Sequence, residues 1–257
     1  MSPQVIVRTP GLSIAHGLTT SPHLGQPNYS AALMQHKNYI STIIQCGAEV
    51  IVLPPAEDYP DSCFVEDAAL LTENLAILTR PGAVTRQGEV ALLHPAIKEY
   101  YRQSIEMIKA PGTLEAGDVL QIGKHFYIGL SQRTNFDGAS QLQMLLRNKG
   151  YESTLIPLQQ LFHLKTGVSY IGKNTILVYG ELINHPAFSA YQQIIVSETE
   201  AYAANCIRIN NYLILPEGYP QLTQQLIDLD FKVKTLDVSE FRKIDGGLSC
   251  LSLRLPY

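Results

Sequence analysis

The chain lacks basic clusters, closely spaced cysteines and any long apolar run, and each absence narrows what it does. Its 19 Lys and Arg against 23 Asp and Glu give a formal net charge of -4, and no stretch gathers the cations that a phosphate backbone requires. Nucleic acid is therefore not an expected partner, while a local acidic group leaves room for a cationic small molecule. The four cysteines, Cys46, Cys63, Cys206 and Cys250, stand far apart. They form neither a zinc-type spacing nor a redox dithiol, and they do not read as a disulfide framework. No segment reaches the roughly 18 to 20 consecutive apolar residues that cross a bilayer. The opening Met1-Ser2-Pro3-Gln4-Val5-Ile6-Val7-Arg8 shows no basic start, apolar stretch or cleavage site of a secretory leader. A soluble, cytoplasmic protein with no membrane contact is expected.

What is present describes an ordinary globular chain: 257 residues, 46% of them hydrophobic and 16% charged, enough to bury a substantial core. A pattern of two β-rich runs around a tight polar turn occurs at Ala69–Leu78, Val119–Ile128, Val168–Leu177 and Cys206–Leu215. Gly, Asn, Lys or Glu occupies each turn, as a hairpin requires. With Glu73, Gly123, Gly172 and Asn210 as equivalent turn positions, the spacing falls in the 20 to 50 residue range that signals repeated modules. Helical stripes follow at Tyr29–Cys46 and Ser140–Lys149, and at Gln221–Leu229 behind Pro220. Strands such as Glu49–Leu53 and Phe231–Leu236 close the modules. A fifth hairpin is expected where the strand after Cys250 pairs with Gln4–Arg8, which would leave no exposed edge there.

Chemistry-bearing residues precede these hairpins. Asp61 and Phe64-Val65-Glu66-Asp67 lead into the first, Leu114-Glu115-Ala116-Gly117-Asp118 into the second and His163-Leu164-Lys165-Thr166-Gly167 into the third. Gly246-Gly247-Leu248-Ser249-Cys250 opens the fifth. Modules arranged around one axis would bring a thiol, an imidazole and several carboxylates together. Taken alone, Cys250 is more commonly a small buried apolar residue than a nucleophile. Its double glycine, however, permits a sharp turn that presents the next side chains at the mouth of a strand.

These ordered motifs, running from Arg8-Thr9-Pro10 to Lys243-Ile244-Asp245-Gly246-Gly247-Leu248-Ser249-Cys250, resemble the bacterial dimethylarginine dimethylaminohydrolase family over essentially the whole chain. The resemblance implies the guanidine-modifying superfamily and its pentein fold, a five-bladed α/β propeller of pseudo-repeated ββαβ modules around a central pocket. It implies one domain over residues 1–257. The implied reaction is hydrolysis of Nω-methylated arginine to citrulline and a methylamine, with no cofactor and no metal. A homodimer is a further expectation.

Carried over by motif, the nucleophile falls on Cys250, the general acid/base on His163 and the carboxylate orienting it on Glu115. Asp67, with Glu66 beside it, would hold the guanidinium through charge-assisted hydrogen bonds. The alternative for both is a solvated turn before a strand, which suits Glu66 better than Asp67 because adjacent strand residues point to opposite faces. Asp61 would assist at either the α-amino or the guanidinium end. Arg86 and Arg133 are assigned to the α-carboxylate, since an arginine fork suits bidentate carboxylate recognition; without the resemblance either is an ordinary surface arginine. Leu18 corresponds to a lid residue, and the Ile244 carbonyl is assigned to the α-amino group. An acidic setting would keep the Cys250 thiol neutral until a guanidinium binds. The rival activities are arginine or agmatine deimination, although agmatine lacks the carboxylate that the two arginines would bind. A binding-only role, as in a pentein anti-association factor of the ribosome, lacks the Cys and His motifs retained in this sequence.

Overall fold

A computed structural model describes residues 2–256. In chain order the regular elements begin with β1 (Gln4–Arg8), α1 (Tyr29–Gln45) and β2 (Glu49–Leu53). Next come β3 (Ala69–Leu71), β4 (Ala76–Leu78), α2 (Glu89–Tyr101) and β5 (Ile105–Met107), then β6 (Val119–Ile122), β7 (His125–Leu130), α3 (Phe136–Arg147) and β8 (Glu152–Pro157). A single helical turn, α4 (Leu164–Gly167), precedes β9 (Val168–Gly172), β10 (Thr175–Val178) and β11 (Gln192–Ile195). The last elements are β12 (Ile207–Ile209), β13 (Tyr212–Pro216), α5 (Pro220–Asp228), β14 (Lys232–Leu236), α6 (Ser239–Arg242) and β15 (Leu253–Arg254).

Among the described residues the strands form five three-stranded sheets of one pattern. A central strand pairs antiparallel with its hairpin partner and parallel with the strand that returns after the crossover. β4 lies between β3 and β5, and β7 between β6 and β8. β10 lies between β9 and β11, and β13 between β12 and β14. The expected fifth hairpin forms from the two ends of the chain, with Val5 opposite Arg254 and Ile6 opposite Leu253. The α/β class of repeated ββαβ modules is thus the one observed.

Three details differ from the sequence reading. In the third hairpin Gly172 ends its strand opposite Thr175, so the turn is Lys173-Asn174, both in the left-handed region at φ 50° and 54°. Helix α2 was not anticipated, because Pro95 interrupts its sequence and removes an interior hydrogen bond. Burial of Val90, Leu93 and Ile97 along one face holds it nonetheless. The module of β9 to β11 crosses over through two 3-10 turns, Gly180–Leu182 and Pro186–Phe188, in place of an α-helix. That shorter crossover accounts for Asn210 following Gly172 more closely than Gly172 follows Gly123.

The chain divides into two compact units, residues 1–65 with 205–257, and residues 66–204. The first holds the sheets of β1 and β13, the second those of β4, β7 and β10. In the second unit, Leu70 and Ile77 pack with Phe126, Ile128 and Leu142 in one buried cluster. Such continuous burial dominates the stability of a fold built from strands this short. Every hairpin is preceded by a short helical turn: Val65–Ala68, Ala116–Asp118, Leu164–Gly167, Glu198–Ala204 and Ser249–Leu251. Glu66, Asp67 and Cys250 lie on these turns, and Glu115 and His163 cap two of them. No helix among the described residues is long and apolar enough to cross a membrane.

Candidate active site

In the second unit, three of the helical turns place a histidine among carboxylates. His163 is the cap residue of α4 and is 4% exposed. Its Nε2 lies 2.9 Å from Glu115 Oε2. A carboxylate only accepts, so Nε2 carries the proton and Nδ1 is the nitrogen left for chemistry. That nitrogen faces Gly117, where a Cβ would come within 2.8 Å of both His163 Nδ1 and Asp67 Oδ1. Glu115 is fully buried and also accepts from the Ala83 amide and from Arg133 Nη1, each at 3.3 Å.

The charges around the imidazole set its protonation. Burial opposes the imidazolium, but Asp118, the Glu115 hydrogen bond and Asp67 outweigh it and raise the His163 pKa above the ordinary histidine value. For Glu115, burial acts upward, yet the hydrogen bond and charge of His163, with Arg86 and Arg133, hold it below the usual carboxylate range. The pair is an acid poised to give a proton, beside a carboxylate that stays ionised.

Asp67 accepts from the Gly117 amide at 3.0 Å and from Arg86 Nη1 at 2.8 Å. Arg86 is fixed from its other side by Glu89, which takes Nε at 3.1 Å and Nη2 at 2.9 Å. Burial alone would weaken its charge, but Asp67 and Glu89 raise its pKa well above the ordinary arginine value. Arg133 stacks its guanidinium 5.0 Å from the Phe162 ring centroid, and that ring lies 4.5 Å from the His163 ring. Glu66 pairs with Lys165 Nζ at 2.6 Å. The second unit thus brings together six anticipated residues: Glu66, Asp67, Arg86, Glu115, Arg133 and His163. Atoms of Asp67, Glu115 and His163 lie within 4.8 Å of one another, a spacing a cation could use. Arg86 pairs with Asp67 and Arg133 with Glu115 at its edge.

The first unit holds the other four. Cys250 sits on the 3-10 turn Ser249–Leu251, three residues before β15, and is 9% exposed. The turn expected at the mouth of a strand is thus present as a 3-10 turn before β15, and the thiol on it is buried. The Gly247 amide donates to Cys250 Sγ at 3.4 Å. Neither Gly246 nor Gly247 has a positive φ; the left-handed residue is Asp245, at φ 60°. The glycines serve close approach instead. A Cβ at Gly246 would strike Phe64, and one at Gly247 would come within 2.5 Å of Asn205 Oδ1. That oxygen accepts from the Ser249 amide at 3.0 Å, which fixes the turn beside the thiol.

Leu18, Asp61 and Ile244 meet around Gly17, where a Cβ would lie 2.9 Å from Ile244 Cδ1 and 3.1 Å from Asp61 Oδ1. The Leu18 amide donates to Asp61 Oδ1 at 3.0 Å. Thr20 donates its amide and hydroxyl to Asp245 at 2.5 and 3.0 Å, tying this loop to the segment before Cys250. Sequence reasoning missed Glu89, Lys165, Asn205 and Asp245 as participants. The i, i+3 spacing of Arg86 and Glu89 was a usable signal; the other three carried none.

A family profile described as "N,N dimethylarginine dimethylhydrolase, eukaryotic" matches residues 25–251. The N(G),N(G)-dimethylarginine dimethylaminohydrolase of Pseudomonas aeruginosa is 45% identical over 254 residues, covering 99% of this chain and all of that one. A solved structure of the Pseudomonas aeruginosa protein, a Cys-to-Ser mutant complexed with citrulline, superimposes with a TM-score of 0.97 at 45% identity, covering 99% of this chain and 100% of that one. The N-terminal domain of ArgZ, a cyanobacterial arginine dihydrolase bound to product, superimposes with a TM-score of 0.89 at 24% identity, covering 100% and 98%; it supports the fold alone.

Proposed function

Because the chain belongs to the dimethylarginine dimethylaminohydrolase family, we propose that it hydrolyses Nω-methylated arginine to citrulline and mono- or dimethylamine. The observation that carries the reading is the buried His163–Glu115 pair, 2.9 Å apart with Asp67 and two arginines around it. Such a group suits proton delivery to a departing amine, otherwise a poor leaving group.

In this reading the Cys250 thiolate attacks the guanidinium carbon, forming the S–C bond and a tetrahedral adduct. His163 gives its proton to the methylated nitrogen, the C–N bond breaks, and an S-alkylthiouronium remains. His163 then takes a proton from a water whose oxygen attacks the same carbon. The C–S bond then breaks, the Cys250 sulfur takes up the hydroxyl proton of the adduct, and citrulline leaves with the thiol restored. Citrulline in the Pseudomonas aeruginosa relative supports this product. Asp67 has acceptor capacity beyond Gly117 and Arg86, since an ionised carboxylate offers about four lone-pair sites, and it is assigned to a substrate N–H with Glu66 beside it. Arg86 and Arg133 are assigned to the α-carboxylate, Leu18 and Asp61 to the loop over the substrate, and the Ile244 carbonyl to the α-amino group. Action in the cytoplasm and pairing of two copies complete the reading.

The test is incubation with dimethylarginine, monomethylarginine, arginine and agmatine, followed by assay of the ureido product. Turnover of the methylated substrates should dominate, and product from agmatine alone would overturn the proposal. Cys250→Ser and His163→Gly should keep the native circular dichroism spectrum and lose turnover by at least about 10²-fold, the lower range for a positioned acid or base. Full turnover by either would sink its assignment.

A further inference from the structure

Asp118 closes the Leu114-Glu115-Ala116-Gly117-Asp118 motif yet has no part in the chemistry above. It is fully buried. Its Oδ2 accepts from Ser131 Oγ and Thr134 Oγ1, each at 2.6 Å, and its Oδ1 accepts from the Leu164 amide at 3.0 Å. Leu164 is the residue after His163, so that bond fixes the turn that aims the imidazole. Thr134 Oγ1 in turn accepts from the Glu115 amide at 3.2 Å. One carboxylate therefore anchors both halves of the His163–Glu115 pair.

Its charge is spent differently from its neighbours'. Glu115 is paired with Arg133, Asp67 with Arg86, and Glu66 with Lys165 on α4 itself. Segments packed against α4 carry Tyr170, Glu181, Glu198 and Glu200. Of these, Glu181 accepts from the amides of residues 159 to 161, and Glu198 accepts from the Tyr179 hydroxyl. The partners of Asp118 are two hydroxyls and an amide, all neutral, so its field is not cancelled at an ion pair. Space there is tight: a Cβ on Gly129 would come within 3.0 Å of Asp118 Oδ1.

We propose that Asp118 is a positioning residue for the reaction, tying the His163 turn to the Glu115 segment through the Leu164 amide and Thr134 while lending its negative charge to the imidazolium. The assignment rests on the methylarginine-hydrolase reading. Burial pushes Asp118 itself upward, and the His163 charge with the Ser131, Thr134 and Leu164 hydrogen bonds acts against that. Its presence is the largest of the influences that raise His163.

Asp118→Asn keeps the size and removes the charge. On the intact protein we expect kcat on dimethylarginine to fall about tenfold or more with KM within about twofold. The alkaline limb of the kcat profile, where His163 loses its proton, should move down by about one pH unit, the low end of what a neighbouring opposite charge contributes. Titration of the His163 ring by NMR in the substrate-free protein should show the same downward movement. This readout needs no turnover, so it separates failure of the proposal from failure of the functional reading. An unmoved His163 titration would overturn the proposal, whereas absent turnover in the wild type would overturn the reading beneath it. Should Asp118→Asn fail to fold, Thr134→Val must lower kcat and Thr134→Ser must restore it; wild-type kcat in Thr134→Val would then reject the linkage.

Discussion

A missing Cβ decides where His163 can sit. Gly117 lies against both Nδ1 of that ring and Oδ1 of Asp67, so Gly117→Ala forces apart two groups that the proposed reaction uses together. The substitution falls at a turn with an ordinary φ, where backbone strain is not at issue. Turnover should therefore drop by about 10²-fold, as misplacement by about an ångström does, while the thermal midpoint falls only modestly. Wild-type kcat in this variant would reject the close-packing account. At this scale Cys250, His163 and Glu115 were legible as candidates only through the family motifs they stand in, because a lone thiol is more commonly an inert buried residue. They did not reveal why Gly246 and Gly247 are glycines. The sequence suggests conformational freedom, whereas the structure gives proximity to Phe64 and Asn205, a contact 182 or 42 positions distant that no local pattern encodes.

Hairpins were legible as elements because two β-rich runs around a polar turn are a local signal, and the sheets form where that signal lies. Helix α2 was hidden behind Pro95, and only its buried face stabilises it. Helix α1 carries a different tension. His36 is 1% exposed, packs against Phe241, and its Nε2 has no hydrogen-bond partner. Burial pushes its pKa down to about 4. A histidine lowered from its ordinary value of about 6.5 binds more protons unfolded than folded between those values. Its contribution to stability is then complete above about 6.5, declines as pH falls, and levels off below about 4. Denaturant unfolding of His36→Leu at several pH values should show a shallower loss over this window than the wild type, and parallel curves would contradict it.

For the molecule, the two ends of the chain complete one sheet, with β15 pairing with β1. Leu253 is 4% exposed there, so Leu253→Ala should cost about 2–5 kcal/mol, the usual range for a buried leucine. Urea unfolding measures it, and a loss below about 0.5 kcal/mol would show that the terminal strand carries no packing load. The sequence by itself determined the repeat, the two termini as partners in a fifth hairpin, and the residues able to do nucleophilic and acid–base chemistry. The first two follow from local periodicity, and the third from the family motifs in which the thiol, imidazole and carboxylates stand. Only the tertiary structure decided that Glu89 clamps Arg86, that Glu66 pairs with Lys165, and that Asp118 stands on neutral donors. Pairings of this kind arise when burial strips water from charges brought together across separate modules, so each group must take whichever partner lies within reach.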